Sequence, residues 1–135
     1  MTPAAQAARF VGVPYVLLGD DPVAGWDCRG CVRHVRREVF GLESPGFENI
    51  GYRRDEAACV EDVERLMLIQ RVAWREVETP IAGAVLLFRY FGRDCHVGLA
   101  LNPAEFIHCL MGQETTIVRL ENWRRRLRGA YVTLD

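Results

Sequence analysis

Apolar positions recur every three or four residues in the first half of the chain and every second residue in the second half. Thr2 before Pro3 reads as an N-cap and a first helical position, so AAQAARFV predicts a short helix that Gly12 ends. Val13-Pro14-Tyr15 is extended, because a residue before proline avoids the helical region. The loop GDDPVAG then leads into Gly25–Phe40, GWDCRGCVRHVRREVF. Here Cys28, Cys31, Val32, Val35 and Val39 fall on one helical face, with Asp27 as the cap. Arg29, Arg33, Arg36, Arg37 and Glu38 mostly fall elsewhere, where water is expected to reach them. After the loop GLESPGFENIGY, Tyr52 to Gln70 predicts a second long helix, capped by Asp55, with Cys59, Val63, Leu66 and Met67 on one face.

From Val72 the pattern alternates. Val72, Trp74 and Val77 predict one strand, and IAGAVLLFRYF, CHVGLAL, EFIHCLM and Thr116-Ile117-Val118 predict four more. ENWRRRLRGAYVTL ends the chain as a short turn or helix and a final strand, its RRRLR run read as a solvated face. Helices first and consecutive strands afterwards predict an α+β fold with an antiparallel sheet. The 135 residues make one domain, 1–135, able to bury a single core.

Composition changes this picture little. Half the residues are apolar, and the net charge of -1 leaves no basic footprint for nucleic acid. All seventeen basic residues are arginine, which we read as codon bias. No signal peptide and no membrane span is visible, so the expected site of synthesis is a reducing cytoplasm. Five cysteines, an odd number, argue against a disulfide framework.

Candidate chemistry starts at Cys28, which opens the capped helix. The field of a helix start favours thiolate, and cysteines so placed have pKa values of about 3.5–7.5. Downstream, the strands Cys95–Leu101 and Ala104–Leu110 flank Asn102-Pro103, a turn signal. A hairpin centred on Asn102 sets His96 directly opposite His108, on one face of the sheet. Gly98 and Ala100 share that face and leave room for a helix end, whereas Val97, Leu99 and Leu101 point the other way. A two-residue loop would shift this register by one. A thiolate facing a base, with a second side chain to orient the base, suits nucleophilic catalysis. A zinc site is the competing reading, since Cys31, Cys95 and Cys109 add soft ligands. It is the weaker one, because Cys95 and Cys109 neighbour the histidines and point to the opposite face, and Cys31 lies a turn deeper. Cys59 is read as core, and His34 as a residue of the exposed helix side.

The run GVPYVLLGDDPVAGWDCRG, the segment HVGLAL and the later FIHC resemble the NlpC-type cell-wall cysteine peptidases, papain-like enzymes that cut peptidoglycan stem peptides. The ending VRLENWRRRLRGAYV is similar to that of compact members found in phage and prophage tails. The resemblance covers nearly the whole chain. It implies a papain-like fold, with N-terminal helices on an antiparallel sheet and the nucleophile at the start of the central helix. It makes Cys28 the nucleophile, His96 the base and His108 the orienting residue, and brings the Tyr15 hydroxyl to the site. Asp27 and Gly30 match the motif around the nucleophile. Arg29 stands where serine is common, Cys31 where a larger aliphatic is usual, and Ile81-Ala82-Gly83-Ala84 replaces a turn with an acidic residue. Arg29 therefore bears on the substrate cleft, and Arg29 or Arg93 is a candidate to pair with substrate carboxylates.

The implied reaction is acyl transfer at the γ-D-glutamyl–diamino acid bond, with the Cys28 backbone N–H at the oxyanion and no cofactor or metal. The implied partners are the stem peptide and phage-tail proteins, with no membrane contact, and the work is done at the cell wall as a tail component. Two other functions fit the same residues: an amidase or acyltransferase toxin, and a structural or binding module without turnover.

Overall fold

Helix α2, Cys28–Phe40, is held at both ends by its own capping chemistry. Asp27 caps it by accepting the Gly30 N–H at 2.8 Å, and Gly41 ends it in the left-handed region at φ 68°. The computed structural model describes residues 1–47 and 73–134. The helix expected over Tyr52–Gln70, with Asp55 and Cys59, lies outside the described residues. Before α2 come helix α1, Pro3–Ala7, a 3-10 turn, Ala8–Phe10, and a small hairpin of β1, Asp20–Asp21, with β2, Gly25–Trp26. Thr2 Oγ1 accepts the Ala5 N–H at 3.1 Å, so the expected cap of α1 is present. Pro14 and Tyr15 are extended, bridged to Glu114 and Trp26.

The remaining strands are β3, Trp74–Val77, β4, Val85–Tyr90, β5, Arg93–Asn102, β6, Glu105–Cys109, β7, Thr115–Arg119, and β8, Leu127–Thr133. They form an antiparallel sheet in the order β3-β8-β4-β5-β6-β7. The chain is α+β, as its periodicity implies.

Each face of the sheet carries its own apolar layer. Val85, Leu87, Val97, Leu99 and Ile107 pack with Cys31, Val32 and Val35 of α2. Leu86, Phe88, Ala100 and Phe106 pack on the other face with Leu120, and Trp123 rests against them. The helix thus lies on the Val97–Leu101 side, not on the Gly98–Ala100 side as expected from residue size. Gly98 makes room for a ring instead: a Cβ there would sit 2.8 Å from Phe106 Cδ2.

The β5–β6 hairpin also departs from the expected register. Asn102 pairs with Glu105 around a two-residue turn, and Asn102 Oδ1 accepts the N–H groups of Ala104 and Glu105 at 2.8 and 2.9 Å. A shift between Ala100 and Asn102 then leaves Leu101 out of the ladder, so Leu99 faces Ile107. Centring on Asn102 would have placed Glu105 there. The displacement is two residues, and it keeps His96 and His108 on one face without setting them directly opposite.

Two arginines of α2 are buried rather than solvated: Arg29 is 3% exposed and Arg36 1%. Arg36 Nε donates to Gly83 O at 2.8 Å and Nη2 to Thr133 Oγ1 at 3.1 Å, and Nη1 bonds Glu43 O. Its guanidinium lies 5.0 Å from the Trp74 ring. Five donors on a long apolar stem let arginine join carbonyls that no ladder satisfies. His34 is half-buried rather than exposed, between Phe10 and Trp26 at centroid distances of 5.6 and 5.5 Å.

Candidate active site

The first turn of α2 crosses the β1–β2 hairpin so closely that a side chain at position 30 has no room. A Cβ on Gly30 would lie 2.4 Å from Gly19 O and 3.0 Å from Trp26 Cβ. Glycine two residues after Cys28 lets the helix start pack on that backbone, and the contact fixes where Cys28 points. Trp26, fully buried, anchors the same corner through its Nε1–H to Thr115 Oγ1 at 2.7 Å; that hydroxyl donates to Val13 O at 2.8 Å. Three sequence-distant segments are tied together there.

Cys28 is half-buried and lines a pocket with Tyr15, Tyr90, Cys95, His96, Leu110 and Met111. Tyr15 arrives through its bridge to Trp26, and His96 through β5. Among the sequence candidates, this wall contains Cys28, His96 and Tyr15. His108 stands behind His96, with His96 Nε2 and His108 Nδ1 2.8 Å apart. Both rings are buried, at 4% and 2% exposure. Trp123 packs edge-on against His108 at 4.9 Å and lies 5.8 Å from His96. The histidines thus belong to the aromatic layer of the sheet, whereas Cys28 packs with the helix layer.

Asp27 and Arg29 are buried outside that wall. Asp27 serves as the helix cap, and burial raises its pKa above the ordinary carboxylate value against the pull of the Gly30 N–H. The charge of Arg29 acts on Cys28, favouring thiolate. Arg93 is exposed at the start of β5.

The electrostatics correct the expectation of a ready thiolate. Burial pushes the Cys28 thiol up to about 12, and the neighbouring Asp27 carboxylate adds to this; the Val97 N–H and Arg29 pull the other way but do not prevail. Desolvation is the largest of these influences. Burial also holds His96 well below the ordinary histidine value, with the charge of His108 acting in the same direction. Burial alone brings His108 down to about 4. At neutral pH the resting site therefore holds a thiol and two neutral imidazoles, which share one N–H···N hydrogen bond.

Cys28, Cys31, Cys95 and Cys109 are all reduced thiols. The Cys109 thiol lies 3.7 Å from Trp26 O, on the helix side, and the Cys95 thiol donates to Tyr90 O at 3.3 Å. Among the described residues, no three His, Cys, Asp or Glu side chains converge as metal ligands. No described helix is long and apolar enough to cross a membrane.

Solved structures match over almost all of this chain. The NlpC/p60 domain of the peptidoglycan hydrolase SagA superposes with a TM-score of 0.60 at 22% identity, covering 97% of this chain and 96% of that one. The fold is that of an NlpC/p60 domain. An NLP/P60-family protein similar to a lipoprotein, from Staphylococcus aureus, gives a TM-score of 0.64 at 23% identity over 99% of this chain and 41% of that one. Among curated proteins, the murein DD-endopeptidase MepH of Escherichia coli is 29% identical over 89% of this chain and 41% of its own length. The murein DD-endopeptidase/LD-carboxypeptidase MepS is 28% identical over 93% of this chain and 58% of its own length. The gamma-DL-glutamyl hydrolase of Bacillus subtilis is 23% identical over 92% of this chain. The NlpC/p60-like chain spans 27%, 41% and 58% of the lengths of these three curated relatives. No family model matches it.

The wall also holds Tyr90, Leu110 and Met111, which the sequence did not single out, and Cys95, which it weighed only as a metal ligand on the other face. Tyr90 ends β4, and the other three flank the two histidine positions; no spacing rule singles them out, since strand pairing gathers them.

Proposed function

We propose that this chain is a cysteine peptidase that hydrolyses peptidoglycan stem peptides, with Cys28 as nucleophile, His96 as base and His108 as the residue that orients the base. One observation carries the reading: Cys28 and His96 line one pocket, and His108 holds the far nitrogen of His96 at 2.8 Å. With Nε2 bound to His108, Nδ1 of His96 is the nitrogen left to take the Cys28 proton. That role requires His96 to carry its hydrogen on Nε2 and donate it to His108 Nδ1.

The resting thiol sets the order of events. Cys28 loses its proton to His96 as the sulfur attacks the amide carbonyl, so the ion pair forms during the reaction. The Cys28 backbone N–H, at the helix start, holds the developing oxyanion. The imidazolium then protonates the leaving amine, and the neutral ring activates water against the thioester. The Val97 N–H and the Arg29 charge favour the thiolate while it lasts, Asp27 keeps the helix start in place, and Tyr15 offers its hydroxyl to the bound peptide.

The bond we assign is the γ-D-glutamyl–diamino acid amide, cut at the cell wall by a protein carried on a phage or prophage tail. The names of the relatives divide between γ-glutamyl and DD bonds, so the test must resolve the two. Diaminopimelate-type peptidoglycan is digested with the wild type and with Cys28→Ala, and the fragments are weighed by mass spectrometry. Fragments broken after γ-D-glutamate, made by the wild type alone, are the expected result. Products broken only at DD cross-links would reassign the bond, and no product from any such wall would remove the peptidase reading. Tail genes beside the coding sequence would support the tail setting; an immunity gene there would favour a toxin.

A further inference from the structure

The arginines of the run near the C-terminus are exposed, as the sequence implies, and one of them also has aromatic partners. Arg126 sits over two aromatic rings, its guanidinium carbon 5.1 Å from the Trp123 centroid and 5.6 Å from that of Tyr90. Those rings stack on each other at 6.3 Å with planes 27° apart. Tyr90 lines the Cys28–His96 pocket, and Trp123 packs on both histidines. Arg128 beside it pairs with Asp94 at 3.4 Å and Arg119 with Glu121 at 3.0 Å, whereas Arg126 has no carboxylate partner among the described residues. A cation resting on two ring faces keeps its N–H edge open to a further acceptor, and stacking reduces the freedom lost when that acceptor binds.

We infer that Arg126 is a specificity determinant that receives a substrate carboxylate at the rim of the Cys28–His96 pocket. The inference rests on the peptidase reading for its substrate class, an acidic peptide. Guanidinium and carboxylate match as a planar, two-point pair, and the aromatic backing fixes the direction from which the carboxylate enters. The selected substrate is a stem peptide whose carboxylate next to the cut is ionised, and the rejected one carries a carboxamide there.

The test separates binding from turnover. Cys28→Ala removes the nucleophile and is titrated calorimetrically with a γ-D-glutamyl–diaminopimelate stem peptide and with the same peptide amidated at the glutamate carboxyl. The expected preference for the acid is roughly 10–100-fold, the range for a hydrogen bond to a charged group. In Cys28→Ala with Arg126→Gln the preference should disappear, and Arg126→Lys should restore part of it. Turnover by the single variant Arg126→Gln should show the loss in KM for the acid, with kcat and the amide kinetics unchanged. The inference is overturned if Cys28→Ala shows no preference for the acid, whether through equal binding or none, or if the preference survives Arg126→Gln. A preserved binding preference in a wild type that cuts neither peptide would overturn the peptidase reading alone.

Discussion

A neutral histidine pair under an indole ring has a pH signature of its own. The folded state holds His108 at about 4, against about 6.5 for an ordinary histidine, so folding disfavours its proton. The stabilisation is complete above about pH 6.5 and is lost as pH falls through 4, because the unfolded chain binds the proton first. On the order of 3 kcal/mol is withdrawn over that window. Thermal melts from pH 7.5 to 4 should show the wild type losing more stability than His108→Gln; parallel curves would refute the assignment. His96, also held low, sets the acid limb of kcat/KM below pH 6.5 under the proposed mechanism, since the base stays neutral into mild acid. A limb above pH 7 would mean that another group limits the rate. Cys28→Ala should change stability by about 1 kcal/mol while abolishing cleavage, because the lost sulfur is small and half-buried.

At the scale of elements, α2 is fixed by its two ends and by one buried arginine. Arg36 joins the helix to the entry of β4 through Gly83 and to β8 through Thr133. Arg36→Ala would leave buried carbonyls without a donor and should cost about 2–4 kcal/mol in urea unfolding. Arg36→Lys should recover only part of this, since an ammonium has no planar fork to span the same acceptors. An effect below 0.5 kcal/mol would show that water replaces the guanidinium at no cost. The β5–β6 hairpin shows how a turn and a bulge act together. Its two-residue turn alone would put His96 and His108 on opposite faces, and the unpaired Leu101 restores the parity that lets them meet.

For the whole molecule, the candidate site belongs to no single layer. Cys28 comes from the helix side of the sheet, the histidines from the aromatic side, and Tyr15 from the chain ahead of β1. Much of this was legible in local signals. Thr2 and Asp27 stand at helix ends because caps satisfy groups within a few residues, and the change of period near Val72 marks where strands begin. Cys28, His96 and His108 were found as candidates because their motifs are short. Pairing across distance was not legible: the register of β5 on β6, the face of the sheet that receives α2, and the burial of Arg29 and Arg36. A residue's exposure depends on what the rest of the chain brings to it, and an arginine reads as polar whether water or carbonyls surround it. The same reason applies to charge state. Spacing located a cysteine at a helix start, but burial pushes its thiol up, and packing set one arginine of a polar run over the rings of Trp123 and Tyr90.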